Sequence, residues 1–420
     1  MKREQFVVEG LAGERSLEGS IAVSGAKNAV LKILPATVLF EDEVQLENVP
    51  QIEDLGRMRE LLAALKENPT VLRKDIAEQF RASIVLAGPV LARYGAVEFP
   101  FPGGCVLGER AIVLFLSGFT AMGAVVEEDD GYFKIQMPGG KLRGAHITFP
   151  LVSVTGTETL MMAAVLAEGE TVLENAAMEP EVAYLAEYLN TCGAHITGAG
   201  TSTIRVVGSG LLHAAGKPFV VPPDRIETGS FVIFAALAGR DITITNCNPA
   251  WLTVPLGLLR QAGVDLEVGI DTVRVRAASA PYKMVSVRTH EYPGFPTDLQ
   301  APMAVFLSQC QGEGSILETI FDGRFRYVDD LVVMGASMTA MNPHRVFVKG
   351  PKKLTRKKLE SPDLRGGLAY ILAATVAEGT STIDNAYLID RGYERIEERL
   401  SKLGLAIERR NSLCENKSFF

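Results

Sequence analysis

The 420-residue sequence is poor in cysteine and tryptophan, with five cysteines and one tryptophan. The cysteines are scattered and odd in number and form no Cys-X-X-Cys pair, which argues against a disulfide framework and against a zinc site. Cys192 and Cys310 lie in apolar helical patterns and are predicted to be inert core thiols. Only Cys105 combines a glycine-rich loop, PGGCVLGER, with a nearby cation, Arg110. This setting is typical of a reactive thiol.

Several other features are also missing from the sequence. It has no apolar run long enough to cross a bilayer, no signal-peptide core, no cluster of metal ligands, no P-loop and no glycine-rich dinucleotide fingerprint. We therefore expect a cytoplasmic protein with no metal, no cofactor and no membrane partner. The net charge of −8 and the pI of about 5.4 disfavour nucleic acid as a partner. Any anionic ligand then requires a local cluster of basic side chains.

A short tag of one or two residues, glycine and a strand-like segment recurs along the chain. Successive tag glycines lie 70, 70, 72 and 69 residues apart, as their positions in the sequence give directly. Each tag is typical of a helix that ends at a glycine in the left-handed conformation and is followed by a strand. The glycines are Gly123, Gly193, Gly263, Gly335 and Gly404.

A second pattern precedes these tags. A Ser, Thr or Asp opens a strongly apolar helix that leads into an alternating strand, as in IETGSFVIFAALAGRDITITN. With two looser copies, the chain reads as six α/β units of roughly 70 residues, grouped as two domains of three. Helices that are apolar on all sides are predicted to be buried inside a shell of strands. The first unit is short, and we expect it to lack about one strand and its turn.

Helix starts present unpaired N–H groups and partial positive charge, so several starts facing one cleft would form an anion site. Charged and polar residues stand at or near these starts and at the ends of units. Each also has a simpler explanation: Lys27 as a solvated lysine, Asp298 as a helix cap, Arg391 as a surface ion-pair member and Cys105 as an idle thiol. The candidates are Lys27, Asn28, Arg81, Asp298, Glu318, Arg365 and Arg391.

Taken together, these strings closely resemble the UDP-N-acetylglucosamine enolpyruvyl transferase family, and they span nearly the whole chain in order. The longest and most specific are PDRIETG, FPTDLQA and DRGYERIE, whereas SGAKNA alone would be weak. The matching segments are SGAKNA (24–29), RASI (81–84), PGGCVLGER (102–110), LVSV (151–154), PDRIETG (223–229), FPTDLQA (295–301), ETIFDGRF (318–325), SPDLR (361–365) and DRGYERIE (390–397).

The resemblance implies a fold, a reaction and two substrates. The fold is a two-domain inside-out α/β barrel of six βαβαββ-like repeats, with domains at residues 27–224 and at 1–26 plus 225–420. The reaction moves the enolpyruvyl group of phosphoenolpyruvate onto the 3′-hydroxyl of UDP-N-acetylglucosamine and releases phosphate through a tetrahedral intermediate. This is the first committed step of peptidoglycan synthesis. Oligomeric state is left open.

The resemblance also assigns roles to individual residues. Cys105 is expected to act as general acid and Asp298 as the base at the sugar hydroxyl, and Lys27 and Arg391 complete the catalytic set. Guanidinium and ammonium groups suit a ligand with a phosphate and a carboxylate. The expected substrate contacts are Lys27, Arg110 and Arg391 to phosphoenolpyruvate, and Asn28, Arg81, Ser153, Val154, Asp298, Ile316, Glu318 and Arg365 elsewhere in the site.

Two departures from the family pattern concern the nucleotide sugar. Arg110 is followed by AIVL instead of Pro-Val-Asp-Leu, and Leu151 stands where the family has a lysine. Three alternatives therefore stay open. They are a related enolpyruvylshikimate-phosphate synthase, an RNA phosphate cyclase, for which none of the five histidines occupies a matching motif, and a non-catalytic paralogue that binds a nucleotide sugar.

Overall fold

The computed structural model describes residues 4–101, 112–129, 131–214 and 216–411. The chain divides into two compact units. The continuous unit is Gly25–Pro222, and the discontinuous unit combines Met1–Ser24 with Pro223–Phe420. Each unit has a hydrophobic core of its own. No helix within the described ranges has the length and apolar character needed to cross a membrane.

The strands are short, as expected for units of this size. They are β1 Glu4–Glu9, β2 Leu17–Ala22, β3 Leu46–Glu47, β4 Ala96–Pro100, β5 Val125–Asp129, β6 Tyr132–Gln136, β7 His146–Thr148, β8 Glu170–Glu174, β9 His195–Thr197, β10 Thr203–Val207, β11 Phe219–Val220, β12 Gly239–Thr245, β13 Asp265–Val268, β14 Val273–Arg276, β15 Val287–Arg288, β16 Gly312–Leu317, β17 Ser337–Asn342, β18 Arg345–Gly350, β19 Lys358–Glu360, β20 Thr380–Asp384 and β21 Ile407–Asn411.

The helices alternate with these strands along the chain. They are α1 Lys27–Ala36, α2 Glu53–Ala64, α3 Lys74–Ala77, α4 Ala87–Tyr94, α5 Val113–Ala121, α6 Val154–Val165, α7 Pro180–Thr191, α8 Arg225–Ala238, α9 Thr253–Gln261, α10 Gln300–Ser308, α11 Val328–Val333, α12 Leu364–Val376, α13 Ala386–Asp390 and α14 Ile396–Ser401. Four 3₁₀ helices accompany them, at Thr37–Leu39, Arg81–Leu86, Pro249–Leu252 and Thr297–Leu299.

The discontinuous unit contains three four-stranded sheets of one design. Their strand orders are β2-β12-β14-β13, β15-β16-β18-β17 and β19-β20-β1-β21. In each sheet the first two strands are parallel, and the remaining neighbours are antiparallel. Each sheet therefore joins a hairpin to a strand that arrives from elsewhere in the chain.

The continuous unit has one sheet of the same design, β7-β8-β10-β9. A second sheet, β4-β6-β5, is extended by a single parallel bridge from Val71 to Glu98. The third is a parallel pair, β11-β3. Between α2 and Val71 the chain forms turns and no strand. The β11-β3 sheet thus lacks both antiparallel strands, a larger shortening than the single strand predicted from the sequence.

The four most apolar helices are buried on every side, which confirms the prediction made for them. Every residue of α8 and of α10 is buried, and so are α6 from Gly156 and α12 from Arg365 onward. A helix with no polar face can satisfy its side chains only when strands surround it. The apolar helices therefore form the centre of each unit, and their first residues lie where the interior begins.

The five tag glycines end helices in the predicted conformation. Their φ angles range from 94° at Gly123 to 114° at Gly335. A side chain in this region clashes with the following carbonyl, so glycine is the residue that turns the chain from helix to strand here.

Candidate active site

Lys27 and Asn28 are the first two residues of α1 in the continuous unit, and both are partly exposed. Lys27 Nζ lies 2.7 Å from Oδ2 of Asp54, a buried residue of α2. Arg57 Nη1 lies 3.7 Å from the other oxygen of Asp54. The carboxylate therefore fixes the ammonium group at a helix start, where the backbone N–H groups also favour an anion.

Arg81 is the first residue of the 3₁₀ helix Arg81–Leu86, where it is partly exposed. Ser153 is the N-cap of α6: its Oγ accepts a hydrogen bond from the backbone N–H of Gly156 at 3.1 Å. Val154 follows as the first residue of that helix and is also partly exposed. The neighbouring Leu151 is 69% exposed, so an apolar side chain projects beside these polar groups.

Asp298 lies in the discontinuous unit, in the 3₁₀ helix Thr297–Leu299. Its Oδ1 accepts a hydrogen bond from Arg324, and its Oδ2 accepts one from Arg365 Nη2 at 3.2 Å. Both arginines are 6% exposed, whereas the Asp298 side chain is 26% exposed. Asp298 is therefore an accessible carboxylate held by two buried cations, and no side-chain cap is formed at this helix.

Arg365 is itself held in place by Tyr393. Its Nη1 donates to the Tyr393 hydroxyl at 2.8 Å, and Ser230 Oγ lies 3.1 Å from the same oxygen. Burial raises the pKa of Tyr393 above its ordinary value, which keeps the hydroxyl neutral. The result is a connected polar network that leads from the buried tyrosine to Asp298.

The structure corrects two of the predicted substrate contacts. Glu318 is 1% exposed, and its carboxylate is occupied by the hydroxyls of Thr289 and Thr297 at 3.0 and 2.8 Å and by the backbone N–H of Ile320 at 2.8 Å. It fixes the turn beside Asp298 instead of facing a ligand. Ile316 is fully buried on β16, because alternate residues of a strand point to opposite faces and this one points into the core.

The remaining predicted residues are placed as follows. Arg391 directly follows α13 in the discontinuous unit and is partly exposed. Cys105 and Arg110 lie outside the described residues. The core thiols behave as the sequence predicted: Cys192 and Cys310 are buried, and burial raises the pKa of Cys310 to about 12.

Comparison with known proteins identifies the family. The family model for EPSP synthase (3-phosphoshikimate 1-carboxyvinyltransferase) matches residues 11–400. The UDP-N-acetylglucosamine 1-carboxyvinyltransferase of Magnetococcus marinus is 44% identical over 414 residues, which cover 94% of this chain and 98% of that protein. The protein of the same name from Aeromonas salmonicida is 42% identical over 412 residues, with the same coverage. The chain belongs to the enolpyruvyl transferase family.

Solved enolpyruvyl transferases share the fold at low sequence identity. The enolpyruvyl transferase NikO from Streptomyces tendae has a TM-score of 0.86 and 22% identity, with 98% of this chain and 100% of that chain covered. EPSP synthase from Acinetobacter baumannii has a TM-score of 0.73 and 18% identity, with 97% and 100% covered. This chain therefore has the mixed α/β fold of these enolpyruvyl transferases.

Three residues of this enolpyruvyl transferase were missed by the sequence analysis. Asp54 holds Lys27, Arg324 holds Asp298, and Tyr393 holds Arg365. Arg324 and Tyr393 lie inside the segments ETIFDGRF and DRGYERIE, which did provide a signal. Asp54 lies in the first turn of a surface-like helix, and nothing local distinguishes it from a residue that favours the helix dipole.

Proposed function

We propose that this protein transfers the enolpyruvyl group of phosphoenolpyruvate to the 3′-hydroxyl of UDP-N-acetylglucosamine and releases phosphate, the first committed step of peptidoglycan synthesis. The observation that carries the proposal is the 42–44% identity to relatives named for this reaction, over 94% of the chain or more. Solved EPSP synthases are only 18–19% identical, so the shikimate acceptor is disfavoured.

The reaction requires one proton to be delivered and one to be removed. In the addition step, Cys105 protonates the methylene carbon, the sugar oxygen bonds to the adjacent carbon, and Asp298 accepts the hydroxyl proton. In the elimination step, a proton leaves the new methyl group and the carbon–oxygen bond to phosphate breaks. A carboxylate anchored at both oxygens supports the role of Asp298, because a fixed acceptor keeps its geometry at the reacting hydroxyl.

Cationic groups supply the affinity for phosphoenolpyruvate in this proposal. Lys27, Arg110 and Arg391 bind its phosphate and carboxylate, and the Lys27–Asp54 pair supports this role because it holds the ammonium at a helix start. The nucleotide sugar is bound by Asn28, Arg81, Ser153 and Val154. Ser153 contributes as the cap of α6, so its substitution also affects the helix.

We also propose that the two units are the two enolpyruvyl-transferase domains and that each is built from three copies of one βαβαββ-like repeat. The shared strand order of four sheets supports this repeat, and the β11-β3 sheet is its shortened copy. A cytoplasmic location follows from the substrates, since both carry several negative charges and do not cross membranes unaided.

A phosphate-release assay tests the function directly. Release is expected only when both phosphoenolpyruvate and UDP-N-acetylglucosamine are present, and Cys105→Ser is expected to abolish it or reduce it sharply. Shikimate 3-phosphate serves as the control acceptor. Release with that acceptor would identify the shikimate enzyme instead, and binding of the nucleotide sugar without any release would identify a non-catalytic paralogue.

A further inference from the structure

Arg409, on the edge strand β21, makes an unusually complete set of contacts. Its Nη1 and Nη2 bind the two oxygens of Asp390 at 2.8 and 2.7 Å. Its Nε and Nη2 bind the two oxygens of Glu397 at 2.7 and 3.2 Å. Nη1 also binds Glu4 on β1 at 2.9 Å. A guanidinium has five N–H donors, and these five hydrogen bonds use all of them.

The two bidentate partners lie on either side of one short segment. Asp390 ends α13, and Glu397 lies in the first turn of α14, so the segment 391–395 is enclosed between them. That segment begins with Arg391. The guanidinium itself packs over the ring of Phe6 at 4.8 Å, which anchors it to the central strand of its sheet.

The segment is also held from its inner side. Tyr393 is fully buried and bonded to Arg365, and a Cβ built on Gly392 would come within 2.7 Å of Leu364. The backbone around Arg391 is therefore packed on one side and tied at both ends on the other. The position of Arg391 depends on Arg409 keeping those two ends together.

We infer that Arg409 is a positioning residue for the binding of phosphoenolpyruvate: it holds both ends of the segment 391–395 and so fixes the guanidinium of Arg391. This inference rests on the proposed function. Arg409 does not touch the substrate in this scheme. Its planar fork is the chemical requirement, because a lysine ammonium cannot bind two carboxylates bidentately at once.

Hydrogen exchange of the full-length protein tests the holding itself. In Arg409→Met, the backbone amides of residues 391–395 are expected to exchange about tenfold faster or more, since several charge-assisted hydrogen bonds are lost. The matched control is Arg410→Met, on the same strand, where the side chain is exposed and paired only locally with Glu408. Unchanged exchange in the Arg409 variant would overturn the inference.

Steady-state kinetics test the consequence for the substrate. Arg409→Lys is expected to raise the KM for phosphoenolpyruvate about tenfold and to leave the KM for UDP-N-acetylglucosamine within about twofold. A merely structural role would lower the active fraction, and hence kcat, with both KM values unchanged, and that result would overturn the inference. Glu397→Gln, which keeps Arg409 and loses one carboxylate charge, is expected to shift the same KM less, and it guards against a misfolded Arg409 variant.

The two proposals fail in distinguishable ways. A wild-type protein that releases no phosphate with both substrates would overturn the proposed function and with it the role in phosphoenolpyruvate binding. A wild-type protein with normal turnover, combined with Arg409 variants of unchanged exchange and unchanged KM, would overturn only the inference about Arg409.

Discussion

Asp298 is accessible on one side and bonded on the other to two buried arginines, Arg324 and Arg365. Two adjacent cations favour the ionised carboxylate, and two separate hydrogen bonds fix its plane. Its value to catalysis thus lies in a fixed position for an acceptor of protons. Removing the charge while keeping the shape isolates that contribution.

Asp298→Asn is expected to lower the rate of phosphate release by about 10²–10⁴-fold, because an amide cannot accept the sugar proton. The measurement is phosphate release at saturating levels of both substrates. Asp322→Asn is the control, since Asp322 is 73% exposed and pairs only with His344 among the printed contacts of the same loop. Equal rates for Asp298→Asn and the wild type would remove Asp298 from the mechanism.

A second charged pair, Lys32 with Glu158, is buried in the continuous unit. Lys32 Nζ lies 2.5 Å from Glu158 Oε2, and Glu158 is fully buried. Burial raises the pKa of Glu158 from 4.5 to about 7; Lys32 lowers it, and Glu181 and Glu179 raise it further. The unfolded chain therefore releases this proton at lower pH than the folded protein. Stability from this group is highest below about pH 4.5 and falls as the pH rises to about 7.

Lys32→Met removes the one cation that favours ionised Glu158. At about pH 8 the variant must bury an unpaired carboxylate or keep it protonated, so we expect unfolding free energy to fall by about 3 kcal/mol. At about pH 5 the carboxyl is neutral, and the loss is expected to be about 1 kcal/mol or less. Urea unfolding at the two pH values provides the measurement, with the exposed Lys66→Met as control. An equal loss at both pH values would contradict the assignment.

At the scale of elements, α9 contains a matched pair of glycines. Gly257 is exposed inside the helix, and Gly263 follows its end with a φ of 96°; a Cβ at either position would meet no atom within 4 Å. Any effect of alanine therefore comes from the backbone. Gly263→Ala is expected to destabilise the protein by about 1–2 kcal/mol, and Gly257→Ala to stabilise it by about 0.5–1 kcal/mol. Thermal unfolding of both variants measures this, and shifts of the same sign would refute it.

The elements that the sequence predicted best are those whose signals are local. The apolar helix α8 and the glycine after α9 are each encoded by adjacent residues, so a repeated pattern revealed them. The pairs that build the site are not local: Lys27 and Asp54 are 27 positions apart, and Asp298 is 26 from Arg324 and 67 from Arg365. Such pairing is decided by the packing of whole elements, which no single sequence window contains.

Two errors in the predicted site have the same origin. Ile316 was placed toward the substrate, but a strand exposes alternate residues and a shift of one position reverses the assignment. Glu318 has the charge expected of a ligand-binding residue, yet two threonine hydroxyls and the N–H groups of a turn occupy it. Residue type alone does not distinguish a carboxylate that binds a ligand from one that binds its own turn.

At the scale of the whole molecule, the chain enters and leaves the continuous unit at adjacent points. The N–H of Ala26 donates to the carbonyl of Pro222 at 2.7 Å. On the other side of this junction, the N–H of Asp224 donates to the carbonyl of Ser24 at 2.9 Å. The continuous unit is therefore closed at its base and has its own core.

We expect a fragment of residues 25–222 to fold by itself with a cooperative urea transition, because its ends meet and its core is complete. A fragment of residues 1–222 is the control: it adds β1 and β2 without their partner strands, and we expect it to aggregate more readily. Circular dichroism and size-exclusion chromatography compare the two. A fragment 25–222 without a cooperative transition would show that the unit depends on the rest of the chain.

The position of β1 has a consequence for synthesis on the ribosome. This strand is made first, yet it lies between β20 and β21, which are made last. At about 5–20 residues per second, roughly 20–75 s separate the emergence of β1 from that of its neighbours. During that interval the nascent N-terminus presents an apolar strand with both edges free, while residues 25–222 have time to finish folding beside it. Chaperone demand during translation should therefore concentrate on the first two dozen residues.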